Sequence, residues 1–411
     1  MLLGKSKFDI TPEKAIYLAG FAHRKQRTTR VERKLYVKTF IIHKDGKNIL
    51  FIIADLIWWD EKFVKDLLDI IAAEYSIPSD QVCFHATHNH SGPQTSSKFS
   101  KQLGELSKIY LFNLKNKVLA SIEIAINDME EVSMHIGKGS SELGVYRRKN
   151  VHGSIKMKPN TDIPVDNELT IISFINTKGQ KKAIWIHYSC HPTTTDANII
   201  SSEFVGVCCE RIEEYYTNAT VAFLQGFCGD VRPNLVKEDE FYRGQIKDMN
   251  EIGSLFTSDV IEVMKESEAA SLKGTIVCSK QDIPLRFSNY NVNQYVPESL
   301  INEWPAIVKK NLIKGYTLVF QYIQLSEDIS FLTCNAEFVQ AYGFYVKEIK
   351  NNLLPLGYTN GMIGYIPTKE QLMGGGYESL DSVFYFGYPS IVAEDMEDEI
   401  KKTFKTILGG H

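Results

Sequence analysis

Apolar positions along this chain fall into short runs with two recognisable periods. VKTFIIH (37–43) and NILFIIADL (48–56) flank KDGK, and the Asp-Gly at its centre predicts a β-hairpin. Beyond Asp55 the period changes: apolar residues at 63, 64, 67, 68, 70 and 71 predict a helix across 60–77. QVCFHAT (81–87) predicts a buried strand, 103–128 a long helix, and 133–138 another strand. LTIISFIN and KAIWIHYS form a second hairpin around TKGQ, followed by a helix at 202–216 and the strand TVAFLQG. Residues 240–267 predict a helix. Three strands follow (KGTIVCSKQDIPLRF, YTLVFQYIQL, DISFLTC), with a helix near 298–314 between the first two. The segment from 336 predicts a helix directly after the last strand, and 388–407 an amphipathic helix.

Hairpins and crossovers alternate, and no fixed-period repeat or low-complexity linker divides the chain. The expectation is an α/β (mixed α+β) fold, with mixed sheets flanked by helices in one large domain over 1–411. Four segments at strand ends, 87–102, 189–201, 226–240 and 353–386, read as long loops. Loops of that length in a compact domain usually carry function.

Composition narrows the class. A chain of 411 residues can bury a sizeable core. A net charge of −4 gives no basic field for nucleic acid. The basic tract Arg24, Lys25, Arg27, Arg30, Arg33 and Lys34, interrupted by Glu32, reads as a solvated loop rather than an anion site. Seven scattered cysteines with no C-x-x-C pair read as reduced, buried thiols. MLLGKSKFDITPEKA lacks the pattern of a signal peptide. No apolar run approaches the ~20 residues of a transmembrane segment. The expected location is the cytoplasm.

Of ten histidines, three crowd into QVCFHATHNHSGPQT. His88 and His90 are two apart, so on an extended backbone both rings share a face, a start for a zinc site. The alternative is a hydrogen-bonded pair lining a turn. His85 falls on the opposite face and reads as structural. In WIHYSCHPTTTD, His191 is preferred over His187 as a ligand, because Pro192 fixes its backbone and the threonines offer hydroxyl support. Glu337 could be a third ligand, or an acid complementing a helix dipole. Tyr365 and Tyr377, around Gly374-Gly375-Gly376, read by default as half-buried aromatics with satisfied hydroxyls. GFCGDVRPN lacks the lysine and spacing of a phosphate loop, and no G-x-S-x-G elbow occurs. A Cys–His nucleophile at Cys190 or Cys228 is a weaker option.

Taken in order, FDITP, THNHSGP, YRRKN, CHPTTT, GDVRPN, NAEF and GYIPTKEQLMGGGYE resemble the neutral ceramidases and their bacterial relatives, from residue 8 to about 378. The resemblance implies a hydrolase with one zinc ion that cleaves the amide between a fatty acyl group and an amine. By motif, His88, His191, Glu337 and Tyr365 match the zinc ligands. Tyr377 matches a residue on the reacting amide, His90 a second histidine near the carbonyl, and Arg147 an arginine facing substrate; Arg148 carries less of the match. The chain departs from the family at Arg232, where ceramidases carry a serine, and a serine mechanism is not expected. It also lacks the family's C-terminal β-sandwich and signal peptide, which bears on ceramide as the substrate more than on amide hydrolysis. The implied partner is a small amide or a lipid amide. Two other readings stand: a zinc amidohydrolase for an N-acyl amino acid, peptide or other small amide, and a non-catalytic zinc-binding scaffold.

Overall fold

Three stretches of the chain repeat one order of connection in the structure, a computed structural model that describes residues 1–409. In the first, β1 (Leu2–Asp9), β2 (Tyr36–Lys44) and β3 (Lys47–Ala54) run antiparallel in turn; α1 (Glu61–Tyr75) then crosses to β4 (Val82–Ala86), parallel to β3. Helix α2 (Lys108–Asn127) packs back on β1 and β2. The second stretch, β5 (Glu130–Ser140), β8 (Glu168–Asn176), β9 (Lys181–Tyr188), α3 (Glu203–Tyr215), β10 (Thr220–Gln225) and α4 (Ile246–Lys265), has the same order and pairing directions. So does the third: β15 (Val277–Pro284), β16 (Thr317–Ser326), β17 (Ile329–Cys334), α6 (Gln340–Ile349), β19 (Leu353–Leu356) and α9 (Met396–Ile407).

Insertions decorate this plan. The ribbon of β6 (Gly144–Val151) and β7 (Ser154–Asn160) leaves the second stretch and pairs β11 (Val231–Pro233). A small hairpin follows, β12 (Val236–Lys237) with β13 (Glu240–Phe241), and β14 (Glu268–Ala269) lies on β5. The third stretch adds α5 (Trp304–Lys314), the paired β18 (Glu337–Phe338) and β20 (Tyr365–Ile366), α7 (Lys369–Gly374), a π turn at Tyr377–Asp381, and α8 (Ser382–Phe386).

Local chemistry explains the elements. Asp45 and Gly46 both have positive φ, 52° and 75°, which is the primed turn that suits a two-residue hairpin. Asp60 caps α1 by accepting from Phe63 N at 3.0 Å. The first two stretches join through β1 and β5 into one nine-stranded mixed sheet, and the third forms a four-stranded sheet. Strand alternation then divides the core. Ile49, Phe51 and Ile53 of β3 face the space between the two sheets, while Leu50, Ile52 and Ala54 face the helices. Trp185 sits between the sheets, edge-on or tilted against Phe40, Phe51 and Phe174 at centroid distances of 5.4, 4.8 and 5.0 Å. The result is helices, sheet, sheet, helices: the mixed α/β class read from the sequence.

Several details differ from that reading. Strands β1, β6 and β7 were not anticipated. Helix α2 begins at Lys108, not 103, because a 3-10 turn ends at Gly104 with φ 102°. Residues 240–241 are strand, and α4 starts at Ile246. The segment 353–386 is mostly ordered elements rather than loop. Among the described residues, no helix is long and apolar enough to cross a membrane.

The three fourth strands, β4, β10 and β19, end against one another. Gln225 N donates to His85 Nε2 at 2.8 Å, Gly357 N to Gln225 O at 3.2 Å, and Asn360 N to Phe84 O at 2.7 Å. The segments that leave this junction bring residues from all three stretches to one place.

Candidate active site

His88 leaves β4 by a sharp bend. Its φ is 61°, left-handed backbone that a non-glycine residue adopts only when its surroundings demand it. The strand alternation invoked from the His-x-His spacing therefore does not apply; this bend brings the two rings together. Neighbours impose the bend: Asn89 N donates to Leu56 O at 3.0 Å, and Asn89 Nδ2 to Ser201 O at 2.7 Å. The Tyr358 ring stacks on the His88 imidazole at 3.8 Å and 16°, fixing its plane. His88 Nδ1 donates to Ile57 O at 2.9 Å.

His191 comes from the loop after β9. Glu203 pins that loop by accepting from Thr194 N and Thr195 N, each at 3.2 Å. The support expected from threonine hydroxyls comes instead from backbone: His191 Nδ1 donates to Val231 O at 2.8 Å. Burial, then Arg147, pushes the His191 pKa down to about 4, against Glu337.

Glu337 is not at a helix start. It lies in β18, and its register partner on β20 is Tyr365, so strand pairing puts carboxylate and phenol side by side. Its Oε1 lies 2.7 Å from His191 Nε2 and 3.4 Å from His88 Nε2. Against burial, which would raise it, His88 and His191 hold the Glu337 carboxyl well below the usual range. His90 Nε2 lies 3.2 Å from His88 Nε2. The ligand atoms of His88, His90 and His191 fall within 4.8 Å of one another, a group that can hold a metal ion. The donors fit such an ion: with Nδ1 of His88 and His191 spent on carbonyls, both Nε2 atoms turn toward one carboxylate oxygen, with His90 Nε2 and Arg147 Nη1 at 3.2 and 3.5 Å beside them, an arrangement a cation relieves.

Arg147 closes the other side. Its guanidinium donates to Glu378 Oε1 at 2.7 Å and to Tyr365 Oη at 3.0 Å, and lies 5.6 Å from the Tyr377 ring centroid. A β-bulge between Tyr146 and Arg148 turns consecutive arginines of β6 onto one acid, Glu378, which also pairs with Arg148. Burial pushes the Tyr365 hydroxyl pKa well up; Arg147 opposes this and Glu337 adds to it. Tyr377 stands edge-on to Tyr365 at 5.5 Å, on a π turn, a helical irregularity frequent at functional sites.

His90, Arg147, His191, Tyr365 and Tyr377 line one pocket of about 330 Å³ with Phe21, Arg232 and Arg243. Burial, His88 and His191 hold the His90 pKa well below its ordinary value. His85 and His187 lie outside the pocket, as buried rings bonded to Gln225 N and Pro355 O. Cys190 and Cys228 are buried thiols with pKa values raised first by burial, a poor basis for a nucleophile.

The sequence reading missed Glu378, Tyr358, Gly20 and Arg24. Arg24 belongs to the tract expected to be solvated, yet it is buried and donates to His90 O at 2.6 Å and Asp196 O at 3.0 Å. Only for Glu378, adjacent to Tyr377, did the sequence hold a signal.

The family model described as neutral/alkaline non-lysosomal ceramidase, N-terminal, matches residues 1–251. Among solved structures, the neutral ceramidase from Pseudomonas aeruginosa is similar at 17% identity and a TM-score of 0.78, over 98% of this chain and 73% of that one. A structure described as ceramidase complexed with C2 is similar at 16% identity and a TM-score of 0.76, over 98% and 74%. At these identities the likeness speaks for the fold. None of the curated proteins matches the chain.

Proposed function

The chain belongs to the neutral/alkaline non-lysosomal ceramidase family, and from that premise we propose that it is a zinc-dependent amidohydrolase that cleaves N-acyl amides, of lipid or small amines. One observation carries the reading. The Nε2 atoms of His88 and His191 converge on Glu337 Oε1 at 3.4 and 2.7 Å, with both Nδ1 atoms bonded to carbonyls. His88, His191, Glu337 and Tyr365 would hold the ion, a nitrogen-and-oxygen set suited to zinc. When bound, the ion supplies Lewis-acid polarisation and a nucleophile at neutral pH.

The chain's own groups do the rest. Arg147 donates to the Tyr365 oxygen and so favours its anionic form as a ligand. Tyr377 and Arg147 border the pocket where charge develops on the amide oxygen and donate to it. His90 lines the pocket and would carry a proton from the attacking water to the nitrogen of the leaving amine. The pocket beside the donors favours this reading over a closed scaffold site. Residues 1–411 serve as a single catalytic domain, because each of the three stretches contributes to the site.

His90 is the point of choice. Its Nε2 is close enough to count as a donor, but here it is assigned to proton transfer. The test is zinc content and amide hydrolysis in His88→Ala and His90→Ala. His88→Ala is expected to lose both. His90→Ala is expected to keep zinc and lose rate; loss of zinc would make His90 a ligand instead.

A further inference from the structure

Arg232 differs from every other buried guanidinium at this site. Arg147 and Arg148 share Glu378, and Arg24 bonds two carbonyl oxygens, with only its Nη2 lacking a partner among the described residues. Arg232 is 5% exposed, and its Nε and Nη2 are buried with no hydrogen-bond partner among the described residues. Its guanidinium lies over the Phe241 ring, 4.4 Å from the centroid. A buried charge without a partner is costly, and such a group calls for an explanation from function.

Its position supplies one. Arg232 follows Val231, whose carbonyl orients His191, and it lines the same pocket as His90, Arg147 and Tyr377. Arg243 is beside it and lies 3.5 Å from Asp196, a carboxylate that also faces His23 at 3.2 Å. Asp196 attracts the Arg232 cation, while Arg243 and Arg147 repel it. Burial, Arg243 and Arg147 together lower the Arg232 pKa to about 9, so the cation is stressed as it stands.

We propose that the pocket takes an N-acyl amino acid, whose carboxylate pairs with Arg232 while Arg243 adds attraction from the pocket wall. The inference rests on the amide-hydrolase reading and specifies its substrate. A guanidinium fork suits a planar carboxylate, and burial makes the pair selective, because a neutral amine leaves the cation unpaired. In the reaction the C–N bond breaks. Water gives its OH to the acyl carbon and a proton to the nitrogen, releasing a fatty acid and an amino acid.

The test compares N-octanoylglycine with N-octanoylethanolamine on the zinc-loaded full chain. The wild type is expected to favour the glycine conjugate in kcat/KM. Arg232→Met is expected to cut that preference about tenfold or more, mainly through KM for the carboxylate substrate. Arg232→Lys should restore part of it. Arg232→Met should melt no lower than wild type, since it removes an unpaired buried charge. An unchanged preference, or a wild type that favours the neutral amide, overturns the inference. So does an Arg232→Met variant whose only change is weaker inhibition by octanoate, because Arg232 would then serve the fatty-acid product. A zinc-loaded wild type that cleaves neither amide overturns the amide-hydrolase reading and the inference with it.

Discussion

At the scale of single residues, the site depends on backbone that the side chains alone do not announce. Gly20 has φ 96°, and a Cβ there would lie 2.3 Å from His90 Nδ1. Gly20→Ala is therefore expected to displace the His90 ring, lower kcat and leave zinc content intact; unchanged kcat would remove His90 from proton transfer. Tyr377→Phe removes one donor to the oxyanion. It should keep zinc and lose about 3 kcal/mol of transition-state stabilisation, a hundredfold or more in kcat. A loss below threefold would take Tyr377 out of that role. His88, His90 and His191 were legible because histidines are few and short motifs surround them. Tyr358 was not, since nothing in its neighbourhood predicts that its ring stacks on His88 from 270 positions away.

At the scale of elements, the bulge in β6 and the π turn are joined by Glu378. Glu378→Gln leaves Arg147 and Arg148 as buried, unneutralised guanidiniums. The expected cost is about 3–5 kcal/mol in unfolding free energy, read from urea titration. A loss under about 1 kcal/mol would mean the pairs contribute little. Hairpins with a strong turn and helices with a clear 3.6-residue period were legible, as at 37–56 and 60–77. Strands β6 and β7 were not: YRRKN and SIKMKPN carry charge where apolar alternation was the signal, because this ribbon serves the pocket rather than the core. Glu337 was assigned to a helix start because the two-residue strand that pairs it with Tyr365 is too short to leave a pattern.

At the scale of the molecule, one connection order used three times places the chemistry. The first stretch supplies His88 and His90, the second Arg147 and His191, and the third Glu337, Tyr365 and Tyr377. The repetition left no trace in the sequence, because equivalent strand ends read HATHNHS, LQGFCGD and LGYTNGM; pairing order is kept while side chains are not. Trp185 is the test of how the sheets are held together. It is fully buried between them, and Trp185→Ala should cost about 3–5 kcal/mol. An ion bound by residues of all three stretches should also stabilise the whole, by about 2.7 kcal/mol at a hundred times its dissociation constant. The most direct test of the account is metal analysis of the purified chain, before and after chelation, with amide hydrolysis measured on the same samples. The account predicts one zinc per chain, loss of hydrolysis and a lower melting temperature on chelation, and recovery of both when zinc returns. Protein that carries no stoichiometric metal and is indifferent to chelators would contradict it.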